Sequence, residues 1–409
     1  MPQWICCQIG AREHYENPAT LHQAGQLSCL ITDAWFPPDS ILGRWDPLLA
    51  SRLRGRFRAE LAHAPVRAFS SSLISFELRQ RLRRRRGWAR TLARNDWFQR
   101  RACRFLARLA PQLNEAPVVF AYSYAALGIF QFARQQGWPT VLGQIDPGIR
   151  EAELIQRERE RHPELALPWQ PPPDRYWQAW RQECQLADRI AVNSVWSRQL
   201  LQEANIDTTQ AAIVPLRYTP SAAARAFVRR YPAAFSAQRP LRVLFLGQVN
   251  LRKGVAAILE AMAALEGHAI EFWFVGPIQI RIPPRWQGHP QVVWTGAVDR
   301  EQTDAYYRWA DVFLFPTLSD GFGLTQLEAQ AWKLPAIASA HCGRVVTHGK
   351  TGWMLEKVDG EAIASLLNEL VKSPQELARC SHNILRERER DRRSEPFLPG
   401  MLNALIEQH

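Results

Sequence analysis

The feature that most constrains this chain is the segment from Asp311 to Glu328, in which an apolar strand leads into a glycine-rich turn and a helix. Val312 to Phe315 is an unbroken apolar run, which predicts a strand buried on both faces. Gly321 and Gly323 allow the backbone to approach a ligand closely. A helix pattern from about Leu324 aims its unpaired N–H groups at the same place. The segment therefore predicts an anion site suited to a phosphate or diphosphate.

Two carboxylates flank this predicted anion site. Asp320 precedes the glycines, and Glu328 follows about one helical turn inside the helix. Ionised carboxylates only accept hydrogen bonds, so they suit the hydroxyls of a ribose or a sugar better than a phosphate. On spacing alone, an ordinary strand-turn-helix with a solvated Glu328 is an equally good interpretation.

The same segment resembles the acid-x7-acid signature of the retaining glycosyltransferases of family 4. That family usually has Glu-Gly-Phe-Gly-Leu followed by Glu-Ala, and this chain has Asp320-Gly-Phe-Gly-Leu-Thr-Gln-Leu-Glu328-Ala329. Three other segments resemble, in order, the family's strand with its Lys-Gly phosphate loop, its second nucleotide-side strand end and its closing glycine stretch. These segments are Leu244 to Gly254, Phe274 to Pro277, and Gly343 to Trp353.

The resemblance implies an α/β protein of the GT-B fold, with two Rossmann-like doubly wound domains facing each other across a cleft. It implies retaining transfer of a sugar from a nucleotide-diphosphate sugar to a hydroxyl of a glycan or glycoconjugate, without a metal. The nucleotide sugar is then a substrate, and no cofactor is expected. A role in polysaccharide or other glycoconjugate assembly is suggested.

By resemblance, the catalytic residues are Asp320, Lys253 and Asp146, with Asp320 on the transferred sugar. Lys253 and Arg252 would neutralise the donor diphosphate, and Glu328 would bind the ribose. The remaining donor-binding candidates are Gly10, Gly247, Gly321, Phe322, Gly323, Leu324 and Thr325.

The chain departs from the family pattern at three places. Asp320 is one methylene shorter than the usual Glu, and Gln248 stands where the family often has Arg. Many members have a sugar-contacting His near the strand that ends at Gln144-Ile-Asp146-Pro147-Gly148, but this strand end has none. That contact would pass to Asp146 or Gln144, although Asp146 before Pro-Gly is equally well explained as a turn residue. Gly10 is also explained almost as well by a turn alone.

These departures keep two alternatives to an active enzyme open. One is a catalytically inactive GT-B protein that still binds a nucleotide sugar. The other is an interaction protein that uses an arginine-rich face. Residues 44–108 contain eighteen Arg, no Lys and four acidic residues, which leaves about −2 of the total charge of +12 for the rest of the chain.

The apolar residues of the arginine-rich region follow roughly helical spacing. They fit either ordinary helices with solvated Arg faces or a peripheral contact with an anionic membrane or acceptor. Nucleic acid is not an expected partner, because no nucleic-acid motif accompanies the charge.

With 409 residues, the chain predicts two domains. We expect an N-terminal acceptor-side domain over 1–220, a linker over 221–240, a nucleotide-sugar-binding domain over 241–374, and a helical segment over 375–409 that crosses back to the first domain. Seven cysteines without metal-like spacing predict reduced thiols, with Cys6 and Cys7 on opposite faces of the first strand. The absence of a long apolar run and of a secretory pattern favours a cytoplasmic protein, with possible location at the inner face of the membrane.

Overall fold

The computed structural model describes residues 1–37 and 55–391, and within them two parallel sheets. The strands are β1 Trp4–Gln8, β2 Leu27–Thr32, β3 Val66–Ala68, β4 Val118–Tyr122, β5 Thr140–Gln144, β6 Arg189–Val192, β7 Ala211–Ile213, β8 Leu241–Leu246, β9 Ile270–Val275, β10 Val292–Gly296, β11 Val312–Phe315, β12 Ala336–Ser339 and β13 Gly352–Leu355. The helices are α1 Glu16–Gln23, α2 Ser70–Leu82, α3 Gly87–Leu109, α4 Leu127–Gln135, α5 Ile149–Arg161, α6 Asp174–Leu186, α7 Val195–Glu203, α8 Ala222–Ala226, α9 Val255–Ala264, α10 Thr303–Trp309, α11 Leu324–Ala331, α12 Gly360–Lys372 and α13 Pro374–Asp391.

The first sheet has the strand order β3-β2-β1-β4-β5-β6-β7, and every described pairing in it is parallel. Apolar clusters cover both of its faces, as a parallel sheet requires. Cys7 belongs to one cluster and Cys6 to the other, which confirms that they lie on opposite faces of β1. All seven cysteines lie in the described part of the chain and are unbonded thiols.

The second sheet has the order β10-β9-β8-β11-β12-β13 and is again parallel. In both sheets the order reverses beside the first strand, between β1 and β4 and between β8 and β11. Open parallel sheets bind ligands outside the carboxyl ends of the strands at such a reversal. The fold therefore offers one binding position per sheet, and the predicted phosphate loops follow β8 and β11.

The predicted linker, residues 221–240, contains the short helix α8. Lys333 from the second domain donates a hydrogen bond to the carbonyl oxygen of Arg225, which ties α8 to that domain. Arg229 likewise donates to the carbonyl oxygen of Trp332 at 3.2 Å. Hydrogen bonds between side chains and main-chain carbonyls, made in both directions, therefore hold this segment against the second domain.

The last described helix, α13, packs on the second domain. Leu377 belongs to the apolar core of the second sheet, and Arg379 donates to the carbonyl oxygen of Gly349 at 2.8 Å. Residues 392–409 lie outside the described part of the chain, so the crossing of the terminal segment to the first domain stays a prediction.

Candidate active site

The candidate site lies between the two sheets and includes a cavity of about 320 Å³. The loops after β8 and β11 supply its second-domain wall, and residues after β1, β5 and β6 supply the opposite wall. The lining residues are Arg12, Glu13, Ile145, Asn193, Leu216, Leu246, Gly247, Gln248, Arg252, Lys253, Phe315, Asp320, Phe322, Gly323, Leu324 and Thr325. The predicted phosphate loops thus meet residues of the first domain in one cavity.

Lys253 and Asp320 form an ion pair inside this cavity. Their side chains are only 10% and 19% exposed, and the Lys253 ammonium lies 4.8 Å from the centre of the Phe315 ring. Burial by itself would raise the pKa of Asp320, but Lys253 and Arg252 outweigh it and hold that pKa below its usual value. Asp320 is therefore ionised, and its charge balances the buried ammonium.

A glycine after Lys253 is required by the backbone geometry. Gly254 has φ +72° and precedes α9, and a Cβ built on it would lie 2.0 Å from the carbonyl oxygen of Pro316. A side chain would therefore push the loop after β8 away from the loop after β11. The Lys-Gly pair keeps these loops together and keeps Lys253 beside Asp320.

Arg252 connects the phosphate loops to the first domain. It donates a hydrogen bond to the carbonyl oxygen of Ser319 at 2.9 Å, and its guanidinium lies 3.6 Å from the carboxylate of Glu151 in α5. The Ser319 hydroxyl donates to Glu151 at 2.8 Å and accepts from the Trp196 indole at 3.1 Å. Burial raises the pKa of Glu151 to about 7, despite the nearby Arg252. The two domains thus share one buried polar network behind the cavity.

Gly321 brings the predicted donor loop into contact with the first domain. A Cβ built on Gly321 would lie 2.0 Å from the carbonyl oxygen of Ile145. The Ser197 hydroxyl also donates to the carbonyl oxygen of Gly321 at 3.3 Å. The sequence analysis predicted that Gly321 lets the backbone approach a ligand, and the structure adds a contact between domains that needs the same space.

Glu328 lies on α11 at the boundary with a larger cavity of about 1030 Å³. Its carboxylate accepts a hydrogen bond from the Tyr307 hydroxyl at 2.8 Å and lies 3.6 Å from the guanidinium of Arg300. Arg300 also donates to the His14 ring at 2.7 Å. Burial, with Arg300 and Arg58 nearby, lowers the pKa of His14 to about 4, so the ring is neutral and can accept this bond. Glu328 is thus connected through Arg300 to the first domain.

A strained turn after β1 brings Glu13 between the two cavities, and Glu13 lines both. Glu13, His14 and Tyr15 have φ angles of 49°, 53° and 60°. Side chains other than glycine rarely adopt this left-handed region, and each residue there costs about 1–2 kcal/mol. Such strain persists only where surrounding contacts hold the turn in place.

The carboxylate of Glu13 is held by three donors. The Tyr122 hydroxyl, the Asn17 amide and the Asn193 amide donate to it at 2.8, 3.0 and 3.0 Å. Burial nevertheless raises the pKa of Glu13 above its usual value. These contacts fix a carboxylate in the first-domain wall, facing the loops that carry Lys253.

Asp146 follows β5, and its carboxylate accepts hydrogen bonds from its own loop and from the residues after β4. It accepts from the backbone N–H of Gly148 at 2.9 Å and from the Tyr124 hydroxyl. The first contact is the turn interaction that the sequence left open. Gln144 donates to the carbonyl oxygen of Asp146 at 2.8 Å and accepts from Trp180. The neighbouring Ile145, rather than Asp146, is among the residues that line the cavity of Lys253.

Gly10 follows β1 but does not line this cavity, and a buried ion cluster holds it. Its backbone N–H donates to Asp33 at 2.9 Å, and its φ is +79°. Asp33 also forms ion pairs with Arg56 and Arg94, both from the arginine-rich region. These two arginines are therefore structural partners of a buried carboxylate rather than part of a solvated face.

Sequence patterns did not single out Glu13, Glu151 or Arg300 as site residues. Glu151 follows the Gln144–Gly148 loop by three residues, so its position after a strand end was the available signal. Arg300 follows β10 without any motif. In residues 1–37 and 55–391 no group of three or more His, Cys, Asp or Glu residues has the geometry of a metal site.

The second domain matches a known protein family. Residues 240–373 match the family model of the glycosyl transferases group 1. These residues form a glycosyltransferase group 1 domain. It contains Lys253, Asp320 and Glu328, whereas Gly10 and Asp146, which were also predicted by resemblance, lie outside the matched segment.

Curated relatives match over different lengths. WcaL of Salmonella typhimurium, named for glycosyl transfer in colanic acid biosynthesis, is 24% identical over 185 residues, which is 41% of this chain and 44% of WcaL. The MMP alpha-(1->4)-mannosyltransferase of Mycolicibacterium hassiacum is 26% identical over 316 residues, covering 72% of this chain and 71% of that protein. The match to WcaL spans less than half of the length of either protein.

A solved structure extends the likeness over both domains. Anabaena HepE in complex with UDP-glucose superposes with a TM-score of 0.62 at 13% identity, covering 100% of this chain and 99% of that one. This likeness and the two parallel sheets confirm the predicted GT-B fold. None of the helices in the described residues is both long and apolar enough to cross a membrane.

Proposed function

We propose that the protein is a retaining glycosyltransferase of family 4 that moves a sugar from a nucleotide-diphosphate sugar to a hydroxyl of a glycan or lipid-linked acceptor. The observation that carries the proposal is the pair of buried cations, Lys253 and Arg252, in the loop after β8. They adjoin the N-terminus of α11 and the carboxylate of Asp320. Two cations and a helix N-terminus in a buried cavity suit a diphosphate.

Binding of the donor would require a partner exchange at Lys253. The diphosphate would take the ammonium that now pairs with Asp320, and the backbone N–H groups of residues 321–325 would share the phosphate charge. Asp320 would then be free to accept hydrogen bonds from the hydroxyls of the transferred sugar. The shorter side chain of Asp320 is compatible with this exchange, because Asp320 reaches the Lys253 ammonium without the extra methylene of the usual Glu.

Glu328 would bind the ribose. Its carboxylate is 15% exposed and faces the larger cavity, so one oxygen can accept from a hydroxyl while the other keeps the hydrogen bond from Tyr307. The acceptor would approach from the first-domain wall, where the fixed carboxylate of Glu13 can accept a hydrogen bond from a sugar hydroxyl.

In the proposed reaction the bond between the anomeric carbon and the donor phosphate oxygen breaks as the acceptor hydroxyl attacks from the same face. The acceptor proton passes to the departing phosphate oxygen. Lys253, Arg252 and the α11 N–H groups stabilise the charge that develops on the leaving diphosphate. These groups supply the positive charge that a metal ion would otherwise provide, so we propose a metal-independent transfer.

We place the activity in the cytoplasm, where nucleotide sugars would be the donors, with polysaccharide or another glycoconjugate as the product. Contact of residues 44–108 with an anionic membrane is a separate proposal that does not depend on transfer. If the protein is instead a catalytically inactive donor-binding protein, it should bind the donor without turnover. Asp320→Glu would then restore activity.

The test of the proposal is release of nucleoside diphosphate from UDP-, GDP- and ADP-sugars in the presence of candidate acceptors and chelator. Proton NMR of the product gives the anomeric configuration. We expect one donor to be consumed, with its anomeric configuration kept, and Lys253→Ala and Glu328→Ala to abolish consumption and to weaken donor binding. Inverted product, or unchanged transfer and donor binding in both variants, would refute the mechanism.

A further inference from the structure

Helices α2 and α3 form a hairpin whose turn contains four consecutive arginines, Arg83 to Arg86. The two helices run antiparallel, because the Phe76 ring stacks on Trp97 while Glu77 pairs with Arg90. Phe76 and Trp97 are buried against the first domain. The base of the hairpin is thus part of the first-domain core.

The tip of this hairpin projects past the carboxyl edge of the first sheet. Arg94 of α3 pairs with Asp33, the residue that follows β2. The helix therefore passes the carboxyl edge of the sheet at Arg94. Gly87, where α3 begins, is seven residues further along the helix axis, which corresponds to about 10 Å. The turn from Arg83 to Arg86 comes just before Gly87 in the chain, and it therefore lies still farther from the sheet edge than Gly87. The tip is therefore on the side of the molecule where the strands open onto the cleft.

One face of α2 is apolar and exposed. Ile74, Leu78 and Leu82 recur every four residues, so they lie along one side of the helix. Their exposed fractions are 45%, 55% and 83%, and exposure rises toward the tip. The core contact of α2 is made on another side, through Phe76. The helix thus has a second apolar stripe that the described residues do not cover.

Cations surround the end of this stripe. Arg79, Arg81 and Arg83 to Arg86 are all exposed, and the one acidic residue of α2, Glu77, is paired with Arg90. The tip therefore combines exposed leucine side chains with a cluster of arginines. Long arginine side chains can extend their charged groups to a different level from the apolar side chains beside them.

We propose that this tip, formed by Ile74, Leu78, Leu82 and the arginines from Arg79 to Arg86, docks onto an anionic lipid bilayer. A bilayer surface offers both parts of the complementary surface, namely anionic headgroups for the arginines and acyl chains for the apolar stripe. A nucleic acid would satisfy the arginines but would leave the leucines in contact with water or phosphate. The charge and the apolar stripe together favour the bilayer.

The same tip is connected to the first-domain side of the cleft. Trp88, one residue after the start of α3, contacts the Tyr176 ring at 4.9 Å between centroids. Tyr176 stacks on Tyr124 at 4.7 Å, and the Tyr124 hydroxyl donates to Asp146. Docking through the tip would bring the acceptor side of the cleft close to the bilayer.

The test is co-sedimentation of the full chain with phosphatidylcholine vesicles, with and without phosphatidylglycerol. We expect binding only to the anionic vesicles. Arg84→Gln/Arg85→Gln should weaken it about 25-fold, because each arginine near an anionic surface contributes about fivefold. Leu78→Ser/Leu82→Ser should weaken it about tenfold or more through the lost apolar burial.

Two matched controls separate the tip from general charge and general hydrophobicity. Arg104→Gln/Arg108→Gln removes the same charge from exposed sites at the other end of α3, about 25 Å from Gly87, and should leave binding within twofold. Val228→Ser removes an apolar side chain that is 72% exposed and lies in the segment between the two domains. This variant should leave vesicle binding unchanged.

Each other outcome overturns the proposal. Equal weakening by the two arginine pairs would mean that net charge alone drives binding. Unchanged binding in the leucine variant would mean that the stripe does not enter the bilayer. Absence of vesicle binding, together with a change from dimer to monomer in the leucine variant, would show that a second copy of the chain covers the stripe. Because the readout is vesicle binding, failure here does not touch the proposed transfer.

Discussion

The ion pair between Lys253 and Asp320 allows a sharp prediction, because its two members should affect diphosphate binding in opposite directions. Lys253→Met removes the ammonium from a site in which both partners are largely buried. Asp320 would then keep Arg252 as a cation, 3.8 Å from its carboxylate. Removing one partner of a buried pair costs about 3–5 kcal/mol, and this second cation places the expected loss of stability near the lower end.

The effect on ligand binding follows from the same contacts. A hydrogen bond to a charged group contributes about 1.5–3 kcal/mol, so Lys253→Met should weaken nucleoside diphosphate binding about 10- to 100-fold. The parent nucleoside has no phosphate, and its affinity should stay within twofold. Asp320→Asn removes a carboxylate that competes for Lys253, so the diphosphate should bind several-fold tighter while sugar transfer falls.

Isothermal titration at a temperature well below unfolding measures these affinities, and urea unfolding measures stability. The double variant Lys253→Met/Asp320→Asn should recover much of the stability lost in Lys253→Met, because neither charge is then left without its partner. The reasoning is refuted if Lys253→Met weakens nucleoside and nucleoside diphosphate equally, or if Asp320→Asn weakens diphosphate binding.

Three further predictions concern the scaffold of the site. Glu183 in α6 accepts hydrogen bonds from the backbone N–H groups of Tyr124, Ala126 and Leu127, and burial raises its pKa from 4.5 to about 7. Its contribution to stability is therefore complete below about pH 4.5 and is lost as the pH rises through about 7, so the fall in unfolding free energy over this range, measured in urea, should be smaller in Glu183→Gln by up to about 3 kcal/mol. Asp33→Asn leaves two arginines beside a neutral amide and should lower the unfolding free energy by about 3 kcal/mol, and an unchanged value would contradict a structural role for that cluster. Gly321→Ala places a methyl group against the carbonyl oxygen of Ile145 and should cost about 1–3 kcal/mol and weaken donor binding, and unchanged stability would contradict the tight contact between the domains.

The strands and the loops that follow them could be predicted from the sequence because they depend on local patterns. Apolar runs such as Val312 to Phe315 predict buried strands of a parallel sheet, and the structure ends β11 where the run ends. Once the strands are known, the carboxyl-end loops must converge at the reversal of strand order. The meeting of the loops that carry Lys253 and Asp320 follows from this rule.

The first-domain side of the site could not be predicted because it depends on contacts between distant residues. Glu13 occupies a strained turn that three separate donors hold, and nothing in its neighbours along the chain signals this. The arginine-rich region shows the same limit. Arg94 serves a buried Asp33, while Arg84 is exposed at the hairpin tip, although both belong to one basic stretch of sequence.

The most direct test of the account is thermal unfolding of the purified protein with UDP, GDP or ADP and their common sugar conjugates, alongside Glu328→Ala. A ligand that binds only the folded state raises the unfolding temperature by mass action. The account predicts that one nucleoside diphosphate raises it by several degrees and that Glu328→Ala loses this rise. No rise with any of these ligands, or an equal rise in Glu328→Ala, would contradict the proposal that the site binds a nucleotide-sugar donor through Glu328.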